Sequence, residues 1–105
     1  MPNKFGAKKT YSALCQREFA SRAEARRGEE LALLQKAGVI SCLEYQPKFV
    51  LCLKPRITYT ADFRYVEDGK VTVEDVKGML QRETRVKLAW LAEKNGIEVT
   101  LVKGR

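Results

Sequence analysis

Histidine is absent from the 105 residues of this chain, and its absence excludes several classes of enzyme. Hydrolases with a histidine base, zinc enzymes with histidine ligands and histidine proton shuttles all need the imidazole ring. Any catalysis by this chain must therefore use carboxylates, lysines or a bound metal ion.

Cysteine is scarce, and its spacing matches no known cysteine motif. Cys15, Cys42 and Cys52 are widely separated and include no Cys-x-x-Cys pair, which argues against a zinc site or a redox pair. We expect each of them to be a small core side chain in a reducing compartment.

Long hydrophobic runs are also absent. Residues 49–53 form one of the longest uncharged apolar stretches, whereas a helix that crosses a bilayer needs roughly 18 such residues. Residues 1–9 are basic but are not followed by the apolar segment of a secretory signal. We therefore expect residues 1–9 to be a mobile tail, the membrane not to be a partner, and the location to be cytoplasmic.

Acidic residues are outnumbered, with 13 Asp and Glu against 20 Lys and Arg, for a net charge of +7. The excess lies in residues 1–27 and 78–105, on either side of a nearly balanced middle. Such a surface is suited to a polyanion such as DNA. A basic protein without such a partner is the alternative, and an acidic membrane surface is a weaker one.

The first half of the chain predicts a hairpin and a helix within one domain over 1–105, since no repeat or linker divides it. A short hairpin is expected over residues 11–19. Helix-forming residues then dominate residues 21–37, and Gly38 supplies a helix end.

The second half predicts strands around a second helix. Residues 45–53 and 57–65 are rich in aromatic and β-branched side chains, which favours two strands. Asp68-Gly69 is typical of a hairpin turn, so a third strand is expected at 71–77, ended by Gly78. The last predicted elements are a helix over 81–95 and a strand over 97–102.

The order of these elements predicts an α/β fold. The second and third strands form a hairpin, and the third can reach the fourth through a helix and pair with it in parallel. We expect a mixed four-stranded sheet with one helix packed on each side, which is an α/β/α core.

Two acidic residues and one lysine are placed to share one side of the predicted sheet. Asp75 and Lys77 are two residues apart on one strand and point to the same face, while Glu74 points to the other. The turn at Asp68-Gly69 brings Asp62 across from Asp75. Carboxylate oxygens hold Mg²⁺, and a nearby ammonium can position a water or offset charge on a phosphate. The alternative is a salt-bridged sheet edge, in which Asp62 and Asp75 pair with Lys77 and Arg64.

This arrangement resembles the PD-(D/E)xK nuclease superfamily. More specifically, four stretches are similar to a small phage-encoded family within it that is suspected to contain endonucleases or junction resolvases. The stretches are FASRAEA (19–25), LEYQPKF (43–49), YTADF (59–63) and VEDVKG (73–78). The likeness spans about residues 3–102 and departs from the superfamily at Ala61, where proline is usual.

The resemblance implies a restriction-endonuclease-like core and a DNA endonuclease that depends on Mg²⁺ or Mn²⁺. It implies that Asp62 and Asp75 bind the metal and that Lys77 orients the attacking water. A chain this short leaves no room for a separate sequence-reading domain, so we expect recognition of branched or structured DNA, as in Holliday-junction resolvases. Paired cuts at a junction need two sites and hence a homodimer, located in the host cytoplasm if the chain is phage-encoded.

Glu24 has two interpretations. The superfamily often adds an acidic residue of the first helix to the metal site, and Glu24 shares a helical stripe with Gly28 and Leu31 that is expected to face the sheet. Ser21 and Glu24 also fit a capping box, in which the Glu24 carboxylate bonds the Ser21 amide.

The residues expected to contact nucleic acid are less specific. On the second helix they are Arg82, Arg85 and Lys87, and elsewhere they are Gln46, Lys8 and Lys9. A solvated charged face is the alternative for the helix, and a structural hydrogen bond is the alternative for Gln46. Trp90 fits the core better than a base-stacking platform. A nucleic-acid-binding module that does not cleave, or a phage protein that binds a host protein, are the competing functions.

Overall fold

A computed structural model describes residues 8–77 and 79–104 of the chain. In these residues two helices and eight strands form an α/β fold, as predicted. The helices are α1 (Arg22–Lys36) and α2 (Arg82–Asn95). The strands are β1 (Thr10–Ser12), β2 (Arg17–Phe19), β3 (Ser41–Tyr45), β4 (Lys48–Cys52), β5 (Ile57–Thr60), β6 (Phe63–Glu67), β7 (Lys70–Lys77) and β8 (Val99–Lys103).

The central sheet has four strands in the order β3-β6-β7-β8. The β3–β6 and β6–β7 pairs are antiparallel, whereas β7 and β8 are parallel and connected through α2. Asp68 and Gly69 join β6 to β7 with φ angles of 52° and 76°, the backbone that a two-residue hairpin turn of this hand requires. The predicted mixed sheet is therefore confirmed.

The two helices pack on opposite faces of this sheet. Phe63 and Tyr65 share one face and form a core cluster with Leu31 of α1. Arg64 lies between Phe63 and Tyr65 on β6 and therefore points to the other face. Val73 pairs with Arg64 and shares that face. There it forms a second cluster with Leu91 of α2. The layers are thus helix, sheet and helix, as expected.

The prediction of one continuous strand at 45–53 and another at 57–65 is wrong. The first begins earlier, at Ser41, and each is interrupted, so that β3 and β6 belong to the central sheet while β4 and β5 form a separate ribbon. Gln46 interrupts the first with a φ of 54°, and Pro47 lacks the amide proton that a continuing ladder needs. Backbone hydrogen bonds from Gln46 to Asp62 and from Ala61 to Pro47 hold the two interruptions together.

The helices begin and end close to the predicted residues. Ser21 caps α1, and its hydroxyl accepts a hydrogen bond from the Glu24 amide at 3.1 Å. Beyond the ends of α1 and α2, Gly38 and Gly96 have φ angles of 82° and 66°, which glycine adopts without a steric penalty.

The remaining expectations concern the chain ends and the cysteines. The hairpin expected at 11–19 is confirmed as β1–β2, and the last strand lies one to two residues later than predicted. Residues 1–7 of the predicted tail and the strand end at Gly78 lie outside the described residues. All three cysteines are free, and Cys42 is exposed, contrary to the expected core position. The single domain over 1–105 stays a prediction, and no helix in the described ranges could span a membrane.

Candidate functional site

Asp62 lies where the chain passes from the β4–β5 ribbon into the central sheet. Its amide donates to the Glu74 carbonyl at 3.1 Å. Its Oδ2 atom accepts a hydrogen bond from the Val76 amide at 2.8 Å. Asp62 precedes β6, and hydrogen bonds of both its backbone and its carboxylate anchor it to β7.

Asp75 lies across from Asp62, as predicted. Phe63 pairs with Glu74 in the β6–β7 ladder, which places Asp62 and Asp75 in the next position along it. Asp75 is only 1% exposed, and its Oδ2 atom accepts a hydrogen bond from the Tyr59 hydroxyl. The Lys77 ammonium lies 3.4 Å from the same oxygen. The side chains that sequence reasoning grouped are therefore grouped in the fold.

Glu24 joins this group from the first turn of α1. Its side chain is 6% exposed and is in hydrogen-bonding contact with Asp62. Half of the predicted capping box forms, because Ser21 accepts from the Glu24 amide. The carboxyl group of Glu24 is directed to the acidic cluster. We refer to Glu24, Asp62 and Asp75 below as the carboxyl cluster.

The electrostatics of the carboxyl cluster favour a bound proton or cation. Burial, followed by the hydrogen bond and charge of Asp75 and the charge of Glu24, raises the pKa of Asp62 to about 8. Burial likewise raises the pKa of Glu24, although its hydrogen bond with Asp62 opposes the change. Carboxylates in contact cannot all ionise without a compensating positive charge. The cluster therefore holds a proton near neutral pH unless a cation replaces it.

Glu74 belongs to the opposite face, as its strand position predicts. Arg27 donates two hydrogen bonds of 2.8 Å to its two carboxylate oxygens, and the Tyr65 hydroxyl donates a third. Burial raises the pKa of Glu74, but these donors outweigh burial and leave its pKa below the ordinary value. Glu74 is thus a fully bonded structural carboxylate that attaches α1 to the sheet.

Two members of the carboxyl cluster, Asp62 and Asp75, offer donors of the type that a hard divalent cation prefers. One oxygen of Asp62 is used by the Val76 amide, and one oxygen of Asp75 by Tyr59 and Lys77. Across residues 8–77 and 79–104, no group of three or more acidic or cysteine side chains has its donors arranged for a metal ion. Mg²⁺ commonly uses only one or two protein carboxylates, with water and substrate phosphate completing the shell. Asp62 and Asp75 meet that requirement.

The residues predicted to contact nucleic acid lie in three places. Gln46 is beside the carboxyl cluster, because its backbone amide donates to the backbone carbonyl of Asp62 at 2.9 Å. The side chain of Gln46 is exposed. Lys8 and Lys9 are exposed just before β1. The third place is α2, which carries Arg82, Arg85 and Lys87.

Arg82 and Arg85 are exposed on α2, whereas Lys87 is partly buried and lies 3.5 Å from Glu83. Lys87 and Trp90 line a cavity of about 440 Å³ between α2 and β5. Trp90 also packs against the second core cluster, as expected. Within the described ranges no hydrogen bond or ion pair links these α2 side chains to the carboxyl cluster.

Sequence reasoning missed Tyr59 as part of the site. Its hydroxyl donates to Asp75, and burial together with that carboxylate raises the pKa of Tyr59. A buried tyrosine hydroxyl usually requires a partner, so a tyrosine in a core strand three residues before Asp62 was an available signal. The signal was incomplete, because it did not identify which carboxylate the hydroxyl would meet.

Comparison with known proteins gives one match. A protein-family model matches residues 2–102, and its description reads "Protein of unknown function (DUF1064)". No curated protein and no solved structure matches the chain.

Proposed function

The chain belongs to the DUF1064 family, whose description names no activity, and we propose that it is a metal-dependent endonuclease that hydrolyses phosphodiester bonds in DNA. The observation that carries this proposal is the contact of Asp62 with both Asp75 and Glu24, beside the Lys77 ammonium. The order of these residues is the one that the resemblance to PD-(D/E)xK nucleases implies. On this proposal, the α/β/α layers serve as the nuclease core.

Asp62 and Asp75 would hold Mg²⁺ or Mn²⁺. The cation would supply Lewis acidity toward the phosphate oxygens and replace the proton of the carboxyl cluster. Lys77 is 34% exposed along its side chain, so its ammonium is accessible to a water molecule that approaches the phosphate. Glu24, in contact with Asp62, would add negative charge that favours cation binding.

The net charge of +7 supports DNA as the substrate, since a basic surface neutralises phosphates. Arg82 and Arg85 offer exposed guanidinium groups, and Gln46 offers an exposed amide beside the carboxyl cluster. Lys8, Lys9 and Lys87 would add phosphate contacts. We further propose structured or branched DNA as the preferred substrate, a homodimer as the cutting unit and the cytoplasm as the location.

One observation favours a second candidate, a nucleic-acid-binding module that does not cleave. The carboxyl groups of the described residues form no three-donor arrangement, and Tyr59 and Lys77 already occupy one oxygen of Asp75. In that case the carboxyl cluster would remain protonated and structural. The two candidates differ in whether the protein cuts DNA when a divalent cation is present.

The decisive experiment incubates the protein with supercoiled plasmid and, separately, with a four-way DNA junction, in Mg²⁺, Mn²⁺ or EDTA. The endonuclease cuts only with a divalent cation, and Asp75→Asn abolishes cutting while DNA binding in EDTA is retained. Asp68→Asn is the matched control, because Asp68 is exposed in the β6–β7 turn and Asn also tolerates its positive φ. Binding without cutting under every condition would leave the non-cleaving module.

A further inference from the structure

Arg17 has an unusual environment next to the carboxyl cluster. It lies on β2, and its guanidinium carbon is 4.5 Å from the centre of the Tyr45 ring and 5.6 Å from that of Phe19. An arginine at these distances is attracted to the ring faces and is held in a fixed position. Aromatic rings, rather than a carboxylate, therefore fix this cation.

Two other arginines of the fold use carboxylates as partners. Arg27 is bonded to Glu74 and Arg64 to Glu44, each through two nitrogen atoms at 2.8 Å. Among the described residues Arg17 has no ion pair, and its buried Nε atom has no hydrogen-bond partner. Leaving a buried donor unbonded costs free energy. Nε is closed to solvent, so the donors that Arg17 can offer to a ligand are its terminal Nη1 and Nη2 atoms, which make no hydrogen bond within the described residues.

The position of Arg17 relates it directly to the carboxyl cluster. Tyr45, the ring beneath it, pairs with Phe63, the residue after Asp62. The next residue, Gln46, donates its amide to the Asp62 carbonyl. Arg17 is also close enough to Glu24 for its positive charge to lower the pKa of that carboxyl against the larger effect of burial. Arg17 and Lys77 are therefore two cations at the same group of carboxyls.

We propose that Arg17 binds a backbone phosphate of the DNA next to the bond that is cut, so that the β1–β2 hairpin forms part of the substrate site. The planar guanidinium fork can bind two phosphate oxygens at once, which an ammonium cannot do. Stacking on Tyr45 orients the fork before substrate arrives and reduces the entropy lost on binding. This inference rests on the proposed function.

The test compares Arg17→Gln with Arg26→Gln. Arg26 is exposed on α1, two residues after Glu24 and hence on a different side of the helix. Arg26→Gln therefore removes the same charge as Arg17→Gln, but away from the carboxyl cluster. Binding of a fluorescent DNA duplex is measured in EDTA over a range of salt concentrations. We expect Arg17→Gln to weaken binding by roughly tenfold and to lower the salt slope by about 1, whereas Arg26→Gln changes both far less.

A third variant separates a substrate contact from a structural role. Arg17→Lys keeps the charge but loses the fork, so it should recover the salt slope and only part of the affinity, with melting curves recorded for all variants. The proposal is overturned if Arg17→Gln and Arg26→Gln bind DNA alike, or if Arg17→Gln loses affinity only in proportion to a loss of folded protein. If the wild-type chain neither binds nor cuts DNA, the proposed function fails and this inference fails with it. If wild type cuts and Arg17→Gln is unaffected, only the inference fails.

Discussion

At the scale of single residues, the ionised form of the carboxyl cluster is unfavourable without a cation, and this favours the binding of one. Asp62 is anchored by the Val76 amide, yet burial and the neighbouring acids disfavour its charged form. Tyr59 donates a hydrogen bond to Asp75, and the Lys77 ammonium lies 3.4 Å from the same oxygen, so both help to fix its orientation. Such strongly perturbed carboxyls are concentrated at functional sites, where the chemistry requires them.

The first prediction is that the stability of the metal-free protein falls as the pH rises from about 4 to 8. The pKa of Asp62 is about 8 in the fold against an ordinary value of 3.8, so the folded state keeps a proton that the unfolded chain releases. The contribution of Asp62 to stability is therefore full below about pH 4 and is lost as the pH approaches 8, by up to about 1.4 kcal/mol per pH unit. The raised pKa of Glu24 acts in the same direction. Glu44 and Glu74, with lowered pKa values, lose their contributions only at more acidic pH.

Urea unfolding in EDTA at several pH values measures this slope. Asp62→Asn should flatten it and raise the melting temperature at pH 8, because the amide is neutral and can still accept from Val76. Asp68→Asn, in the exposed turn, should leave the slope as in wild type. Stability that increased with pH across this range would contradict the account.

The second prediction distinguishes the two interpretations of Glu24. Glu24→Gln keeps the backbone amide that donates to Ser21 and removes only the charge that faces Asp62. We expect Glu24 to serve the metal site, so that Glu24→Gln does not lower the melting temperature, while cutting weakens and requires more Mg²⁺. A melting curve beside a Mg²⁺ titration of cleavage measures both, with exposed Glu93→Gln on α2 as control. Unchanged cutting in Glu24→Gln would remove Glu24 from the site.

At the scale of elements, the position of the site depends on how α1 and the interrupted strands meet. Gly28 lets α1 approach the hairpin, since a Cβ atom there would be 2.7 Å from Phe19 Cζ and 3.3 Å from Phe63 Cε1. The same helix carries Glu24 one turn earlier. Close packing at Gly28 therefore determines how near the Glu24 carboxyl comes to Asp62.

The third prediction is that Gly28→Ala destabilises the fold. Phe19 is 3% exposed and is packed against Tyr45 and Phe63, so its ring cannot easily move away from the new methyl group. Overpacking costs about 1–3 kcal/mol, and the higher helix propensity of alanine returns at most about 1 kcal/mol. Thermal unfolding should show a lower melting temperature. In a Phe19→Leu background the penalty should largely disappear, and an equal penalty in both backgrounds would refute the steric explanation.

The sequence predicted the two helices and the β6–β7 turn well because each carries a local signal. Asp68-Gly69 specifies its turn, and Ser21 and Gly38 delimit α1. At Gln46 the following Pro47 was an available signal, since proline lacks the amide proton of a continuing ladder. The interruption at Asp62 had no comparable signal, because aromatic and β-branched residues continue on both sides of it. Both interruptions are stabilised by hydrogen bonds between the two strands, which only the tertiary structure reveals. The contact of Glu24 with Asp62 and the partnership of Tyr59 with Asp75 were unpredictable in detail for the same reason.

At the scale of the whole molecule, two core clusters lie on opposite faces of the sheet, and the carboxyl cluster draws on both sides. Glu24 comes from α1, which packs on the first cluster, whereas Asp75 accepts a hydrogen bond from Tyr59, which belongs to the second. The basic side chains of α2 lie on the second side. DNA that reaches the carboxyl cluster would therefore be able to extend toward α2 on one side and toward the β1–β2 hairpin on the other.

The fourth prediction concerns this charge distribution, and it applies to DNA binding measured by fluorescence anisotropy between 50 and 200 mM salt. Binding should weaken steeply with salt, because each neutralised phosphate releases counterions. Arg85→Gln should lower the salt slope by about 1, since Arg85 is exposed and no ion pair to it is present in the described residues. Lys87→Gln should lower it less, because the Lys87 ammonium must first leave Glu83 at 3.5 Å. Lys36→Gln is the matched control: it removes the same charge at the last residue of α1, about 18 Å along the helix from Glu24. Binding that is insensitive to salt, or an effect of Lys36→Gln equal to that of Arg85→Gln, would contradict a role for α2 in holding the DNA.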